Sequence, residues 1–285
     1  MEFSRRRIIV GGPAIVYRKR TIIIPARYGS TRFPGKPLVE LNGKAAILHT
    51  IDVARKVEGV DRVCVATDDE RISAVVEGYG CTALFTDAGC RNGTERVAEA
   101  ASILALDDDD LVVNLQGDAP LTPPAFIAMI FAFLHERPEA DAVTPVIKCS
   151  AKSYLRIAED IRNHRIGATT SVFNAKKRAL YFSKALLPHG TSVETLENLP
   201  VYHHVGLYGY RVGCLKGFPQ LPVGPLERAE GLEQLRFLEN GRTMHVLEAE
   251  DDGQEFWELN NPGDVTHLER ALPSVKSARG RQAIL

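Results

Sequence analysis

The sequence predicts an α/β fold: a mostly parallel central sheet flanked by helices, with a smaller inserted sheet region. Apolar runs of strand length recur at Ile22–Pro25, Asp61–Thr67 and Asp110–Leu115. Segments with helical apolar spacing separate them, and polar or glycine-containing loops follow the strand ends. Strands alternating with helices of this length build βαβ units with right-handed crossovers.

The first strand is the β-branched run from Ile22, which opens into the loop Ala26–Lys36. β-Branched residues suit a buried strand, and Gly29 and Gly35 let the following backbone turn tightly. Periodicity then predicts a helix over Ala45–Val57, the strand Asp61–Thr67, a helix over Arg71–Tyr79 and a short strand over Thr82–Phe85. A helix over Thr94–Leu106, the strand Asp110–Leu115 and a helix over Pro123–His135 follow, with Asp107–Asp110 read as a solvated turn.

Beyond Ser150 the pattern shifts to shorter strand-like pieces, Ala168–Phe173 and Val201–Arg211, with proline and glycine between them. A helix over Leu226–Glu239, a strand over Thr243–Glu248 and a last helix introduced by Asn260–Asp264 complete the chain. The expected organisation is a disordered basic leader, 1–20, and a single domain, 21–285, in which 150–225 forms a substrate-binding or subunit-interface region.

A net charge of −1 with 25% charged residues gives no basic excess for non-specific nucleic-acid binding. The five cysteines, Cys64, Cys81, Cys90, Cys149 and Cys214, form no CxxC pair. They read as reduced thiols of a cytoplasmic protein. Arg5, Arg6 and Arg7 precede a short apolar stretch, but Gly11, Gly12 and Pro13 interrupt it and no A-x-A site follows, unlike a signal peptide. No stretch is long enough to span a bilayer.

In open parallel sheets, ligands bind beyond the carboxyl ends of the strands. Three polar segments should meet there: Ala26–Lys36, Thr67–Asp68 and Gln116–Asp118. The first lacks the GxxxxGK[ST] and GxGxxG glycine patterns. Arg27, Arg32 and Lys36 would therefore hold phosphates by charge, and a nucleoside triphosphate fits; the alternative is solvated surface charge.

The ordered motifs IPARYGSTRFPGKPL, VATDDERI, NGTERVAEA, VVNLQGD, ALYFSKALLP, HHVGLYGYR and PLERAEGLEQLRFLENG cover most of Thr21–His267. In them the chain resembles the 3-deoxy-manno-octulosonate cytidylyltransferases, which make CMP-Kdo from CTP and Kdo. The resemblance implies a Rossmann-like nucleotidyltransferase fold, a homodimer using the segment after Ser150, and a Mg²⁺ cofactor.

It also implies site residues. Arg27 and Lys36 would hold the CTP phosphates, within a CTP site of Ala26, Arg27, Gly29, Ser30, Lys36, Thr67, Asp68, Asn92, Gly93, Thr94 and Gln116. Charge-assisted bonds to phosphate are strong ones. Arg32 would lie near the triphosphate or the sugar acid, and Gln116 between the two substrates. Tyr181, His204, Tyr208, Glu233 and Gln234 would complete the sugar-acid site, since hydroxyl-rich ligands need mixed donors and acceptors. Arg27, Lys36 and Asp118 form the expected catalytic set.

Asp118 ends a strand beside Gly117, where a carboxylate suits Mg²⁺ shared with phosphate; a turn-forming aspartate is the alternative. Asn92 and Thr94 also fit as helix N-caps. Adjacent His203 and His204 on a strand point to opposite faces, so they form no metal pair. Tyr208 and Tyr210 share a face, which packing alone could explain.

The chain departs from the family pattern at three positions. Asn260 stands where the second metal-binding aspartate is expected, Ala119 where glutamate follows QGD, and Asn92 where serine is usual. An amide oxygen can coordinate a cation but brings no charge, so the metal site would bind weakly or recruit Asp264 or Glu258. The expected reaction is attack by the anomeric hydroxyl of a Kdo-like acid on the α-phosphate of CTP, releasing pyrophosphate for lipopolysaccharide or capsule synthesis. The alternatives are the same reaction on 8-amino-Kdo or a nonulosonate, and a catalytically silent protein that binds CTP or the sugar acid.

Overall fold

Consecutive isoleucines point alternately to opposite faces of a strand, so Ile22 and Ile24 need one apolar layer and Ile23 another. The computed structural model, which describes residues 18–30, 33–163, 168–250 and 257–273, supplies both. Strand β1 (Arg20–Ala26) leads through a small hairpin, β2 (Glu40–Leu41) and β3 (Lys44–Ala45), into α1 (Ala46–Arg55). Then come β4 (Arg62–Thr67), α2 (Glu70–Gly78), β5 (Thr82–Phe85), α3 (Gly93–Ile103), β6 (Leu111–Leu115) and α4 (Pro124–Glu136). The second half holds β7 (Ala142–Lys148), α5 (Ala151–Arg162), β8 (Thr169–Phe173), β9 (Ala179–Ser183), β10 (Tyr202–His204) and β11 (Leu207–Arg211). Helices α6 (Val212–Gly217), α7 (Pro225–Glu230) and α8 (Leu235–Glu239), strand β12 (Met244–Ala249) and α9 (Asp264–Ala271) finish the described chain.

The strand order is β5-β4-β1-β6-β11-β7-β10-β8-β9, with β12 also paired to β7. Strands β5, β4, β1 and β6 are mutually parallel, whereas β11 runs antiparallel to both β6 and β7. The later strands β10, β8 and β9 extend the same sheet by antiparallel pairing, and β2–β3 forms the separate small sheet. Residues Ile22, Ile24, Val65, Val113 and Leu115 pack with α1, α2 and α4. On the opposite face, Ile23, Cys64, Ala66 and Val112 pack with α3, α6 and α8.

Several expectations need correction. The helix predicted over Leu226–Glu239 is two short helices, because Gly231 adopts a left-handed conformation (φ 62°) that ends α7. Strand β7 and helix α5 carried no prediction. Pro145 within β7 argues against a central strand, yet it is accommodated where partners change: β11 pairs only Ala142 and Val143, and β10 only Val146–Lys148. The predicted piece Val201–Arg211 is correspondingly split into β10 and β11 around Val205 and Gly206. Asp110 is buried, accepting bonds from the backbone N–H groups of Lys19 and Asp107, so it is a structural staple and not a solvated turn residue.

The bulk of the predicted leader, residues 1–17, and Arg32 lie outside the described residues. Among the described residues, no helix is long and apolar enough to cross a membrane.

Candidate active site

The parallel strands β1, β4 and β6 present their carboxyl ends together. Ala26 is level with Thr67, while pairing on the β6 side stops at Ile23 opposite Asn114, two residues before Pro25. That parting leaves room for Gln116–Asp118. Gly117 is required there: a Cβ would sit 2.9 Å from the Pro25 carbonyl oxygen and 3.1 Å from Ile47. The Thr50 hydroxyl donates to the Gly117 carbonyl at 3.2 Å and holds the turn.

The loop after β1 folds back on Tyr28, whose carbonyl accepts from the N–H groups of Ser30 and Gly35, each at 2.9 Å. The Arg71 guanidinium stacks 3.4 Å from the Tyr28 ring centre and is itself held by Asp69. Gly35 (φ 73°) then delivers Lys36 to the rim, where its ammonium pairs with the Asp118 carboxylate, both side chains being largely buried. Arg27 stays exposed at the strand end. The Leu259 N–H donates to the Asp118 carbonyl at 2.8 Å, bringing Asn260 alongside.

The α3 N-terminus forms a second wall. Asn92 caps the helix, its Oδ1 accepting from the Glu95 N–H at 2.9 Å. Gly93 packs against the Gln116 amide, and the Gln116 Nε2 donates to Asn114 Oδ1 at 2.8 Å. Thr94 is buried, with its hydroxyl 3.2 Å from the Tyr210 hydroxyl and 3.4 Å from the Asn114 amide. Its N–H donates to Glu233 Oε2 at 3.1 Å. Thr67 is fully buried and accepts from the Asp69 N–H at 3.3 Å, while Asp68 pairs with buried Arg96 at 2.9 Å.

Aromatic residues of the antiparallel half line the third side. His204 packs edge-on against Phe182 (4.9 Å) and at a tilt against Tyr208 (5.4 Å), and its Nε2 lies 2.9 Å from the Thr144 hydroxyl. Tyr208 stacks on Tyr210 and donates to Gln234 Oε1 at 3.3 Å. Tyr181 reaches Glu230, which also accepts from the Ser183 hydroxyl and the Lys184 N–H. Burial pushes His204 down to about 3 and raises both tyrosines well above their ordinary range, so all three are neutral near pH 7. Burial likewise pushes Glu233 up to about 7, against the opposing bond from Thr94.

A family model described as cytidylyltransferase matches residues 21–246. The chain belongs to the cytidylyltransferase family. It is 44% identical over 247 residues to a 3-deoxy-manno-octulosonate cytidylyltransferase of Maricaulis maris, covering 87% of this chain and 94% of the relative. An 8-amino-3,8-dideoxy-manno-octulosonate cytidylyltransferase of Shewanella woodyi is 39% identical over 253 residues, 88% of this chain and 98% of that protein. Among solved structures, a CMP:2-keto-3-deoxy-manno-octonic acid synthetase complexed with CTP aligns with a TM-score of 0.77 at 33% identity, over 88% of this chain and 97% of that one. A 4-diphosphocytidyl-2C-methyl-D-erythritol synthase from Anaerococcus prevotii, at 14% identity and a TM-score of 0.54 over 89% of this chain and 95% of that one, shares the fold alone.

In this cytidylyltransferase several buried polar residues carry no clear signal in the sequence. Asn114 lies inside an apolar strand and joins Gln116 to Thr94. Glu95, Arg96 and Arg236 carry charge at largely buried positions of α3 and α8. Their only sequence signal is a charged residue at an inward helical position, which reads equally as a solvated face. A cavity of about 430 Å³ against α3, lined by Asp87, Cys90, Glu99, Lys216 and Gln220 among others, contains none of the predicted site residues. The polar rim beyond the parallel strands is the better site, since polar groups from separate segments converge there.

Among the described residues, no cluster of three or more His, Cys, Asp or Glu side chains gathers to hold a metal. The cytidylyltransferase rim instead offers the Asp118 carboxylate and the neighbouring Asn260 amide, whose nitrogen turns to Glu258 Oε2 at 3.2 Å. An amide oxygen, like a carboxylate oxygen, is a hard donor. The pair fits a magnesium-type ion completed by phosphate oxygens and water.

Proposed function

We propose that this cytidylyltransferase transfers CMP from CTP to the anomeric hydroxyl of Kdo or a closely related 2-keto-3-deoxy sugar acid. The observation that carries the reading is the Lys36–Asp118 pair at the rim, with Asn260 beside it. The pair supports the reading because a lysine can hold phosphate and a carboxylate can hold a metal, two groups suited to transfer at a nucleotide α-phosphate. The 44% identity to a relative named for this substrate supports the choice of acceptor.

In this reading Lys36 exchanges Asp118 for the triphosphate, and Arg27 and Arg32 add charge from the same loop. Asp118 and Asn260 would hold Mg²⁺, which when bound offsets negative charge on the α-phosphate. Ala26, Gly29, Ser30, Thr67, Asp68 and Asn92–Thr94 enclose the nucleotide, and Gln116 stands between the substrates. Tyr181, His204, Tyr208, Glu233 and Gln234 orient the sugar acid. The anomeric oxygen bonds to the α-phosphorus as its hydroxyl proton passes to solvent and the bond to the bridging oxygen breaks, releasing pyrophosphate. Positioning of two anions and electrostatic stabilisation do most of the catalysis.

A second acceptor, 8-amino-Kdo, is favoured by the similarity to relatives named for that acid and by buried Ala119 where the family carries glutamate. We also infer a cytoplasmic homodimer. The free cysteines support a reducing compartment. Exposed Leu155 and Ile161 on α5 and Leu180 on the sheet-edge strand β9 support an interface in the 150–225 region.

The test is pyrophosphate release from CTP and Mg²⁺, with and without Kdo or 8-amino-Kdo, with the CMP-sugar identified by mass spectrometry. Acid-dependent release is the expected result and its rate ratio names the acceptor. CTP binding without release under either acid favours the silent binding protein instead. Sedimentation of the same sample reads the oligomeric state.

A further inference from the structure

Two bonds run side by side between the first turn of α3 and the start of α8. The first joins the Thr94 N–H to the Glu233 carboxylate at 3.1 Å. The second joins Arg236 Nη1 to Glu95 Oε1 at 2.7 Å. Arg236 is 1% exposed, lies 4.3 Å from the Phe218 ring centre, and grips Glu227 with Nε and Nη2 at 2.7 and 2.5 Å. Glu95 also accepts from the Arg91 backbone and guanidinium, each at 2.8 Å. The cluster thus matches two arginines with two glutamates. Although burial opposes ionisation of Glu95, the bonds from Arg91 and Arg236 outweigh it and hold the carboxyl below its ordinary range.

We propose that Arg236 is a positioning residue that holds the nucleotide-side segment Asn92–Glu95 and the sugar-acid-side segment Glu233–Gln234 at a set separation. This rests on the roles given to those segments above.

The physical reason lies in Glu233. Its carboxylate can accept from Thr94 or turn to a ligand hydroxyl, so its bond to Thr94 cannot by itself keep α8 in register with α3 during binding. The Arg236–Glu95 bond touches neither substrate and persists when Glu233 changes partner. A buried ion cluster contributes little to stability that apolar side chains of the same volume would not match. Its directional bonds instead set the distance between two segments far apart in sequence.

The test measures kcat, the KM for CTP and for the sugar acid, and the melting temperature of the full chain. Its variants are Arg236→Lys, which keeps charge but loses the planar fork, and Glu95→Gln, which keeps an acceptor for the Arg91 N–H. The expected result is a rise of about ten- to a hundredfold in both KM values, the loss due to one charge-assisted hydrogen bond, with a smaller change in kcat. Glu227→Gln loosens the same cluster away from α3; it is expected to lower the melting temperature and leave both KM values within about threefold.

Folded Arg236→Lys and Glu95→Gln proteins with both KM values within about twofold of the parent overturn the proposal. Equal effects of Glu95→Gln and Glu227→Gln on KM and melting temperature also overturn it, as does failure of both Arg236→Lys and Glu95→Gln to fold. If only Arg236→Lys is unfolded, Glu95→Gln decides. An unsubstituted protein that makes no CMP-sugar defeats the underlying functional reading before any variant is compared.

Discussion

The backbone N–H of Leu259 donates to the carbonyl of Asp118 at 2.8 Å, and through that bond a late segment of the chain reaches the turn after β6. The bond ties the residue before Asn260 to the backbone of Asp118, whose carboxylate pairs with Lys36. Neither the bond nor the juxtaposition is encoded by local periodicity.

Asp118→Ala should remove turnover while leaving the fold intact. Loss of a group that stabilises developing charge costs about 10²–10³ in rate. The variant should still fold, because both side chains of the pair keep some solvent contact, 16% and 19%, and the Lys36 ammonium can hydrate once its partner is gone. Near-normal pyrophosphate release with an unchanged circular dichroism spectrum would sink the assignment.

Asn260→Asp replaces an amide that donates to Glu258 by a second carboxylate facing it. Without divalent cation the like charges should lower the melting temperature; added Mg²⁺ or Mn²⁺ should restore it. Cation affinity is expected to rise by about tenfold or more, read by Mn²⁺ paramagnetic resonance independently of activity. Equal affinity in the parent and the variant removes residue 260 from the metal site.

Gly209→Ala tests the packing of β11 beneath α4. A Cβ there would lie 2.1 Å from Ile130 Cγ2 and 3.1 Å from Val143. Such overpacking costs about 1–3 kcal/mol. Chemical denaturation should show a lower midpoint, and an unchanged midpoint contradicts the close approach of strand and helix.

Glu233 gives the stability curve a pH signature. Burial raises its folded pKa from 4.5 to about 7, so the folded state retains a proton that the unfolded state has released over that interval. The stability contributed is complete below the unfolded value, falls as pH rises through about 7 and is lost above it. Glu233→Gln cannot titrate. The melting temperature of the parent minus that of the variant should therefore fall between about pH 5 and pH 8, and a constant difference would show an ordinary carboxyl.

The alternation of strands and helices through β6 and α4, the rim loops at the strand ends and the motif set that marks the family are all legible in the amino-acid order. These are local properties. Three isoleucines make a buried strand, and Asn92 before Gly93–Ile103 makes a capped helix, wherever the rest of the chain goes. The same locality explains the misses. Strand β7 carries no local signal, and the change of strand partner that accommodates Pro145 arises only from pairing with β10 and β11. Gly231 looked tolerable inside a helical pattern until packing selected its left-handed conformation.

Which polar residues meet depends on the folded packing. Asn114 reads as an intruder in an apolar strand until Thr94 and Gln116 supply its partners. Arg236 reads as surface charge on a short helix until α3 brings Glu95 and α7 brings Glu227 to its guanidinium. A hydrogen bond or ion pair depends on ångström-scale positions of groups distant along the chain, and those positions are set by the packing of helices onto the sheet.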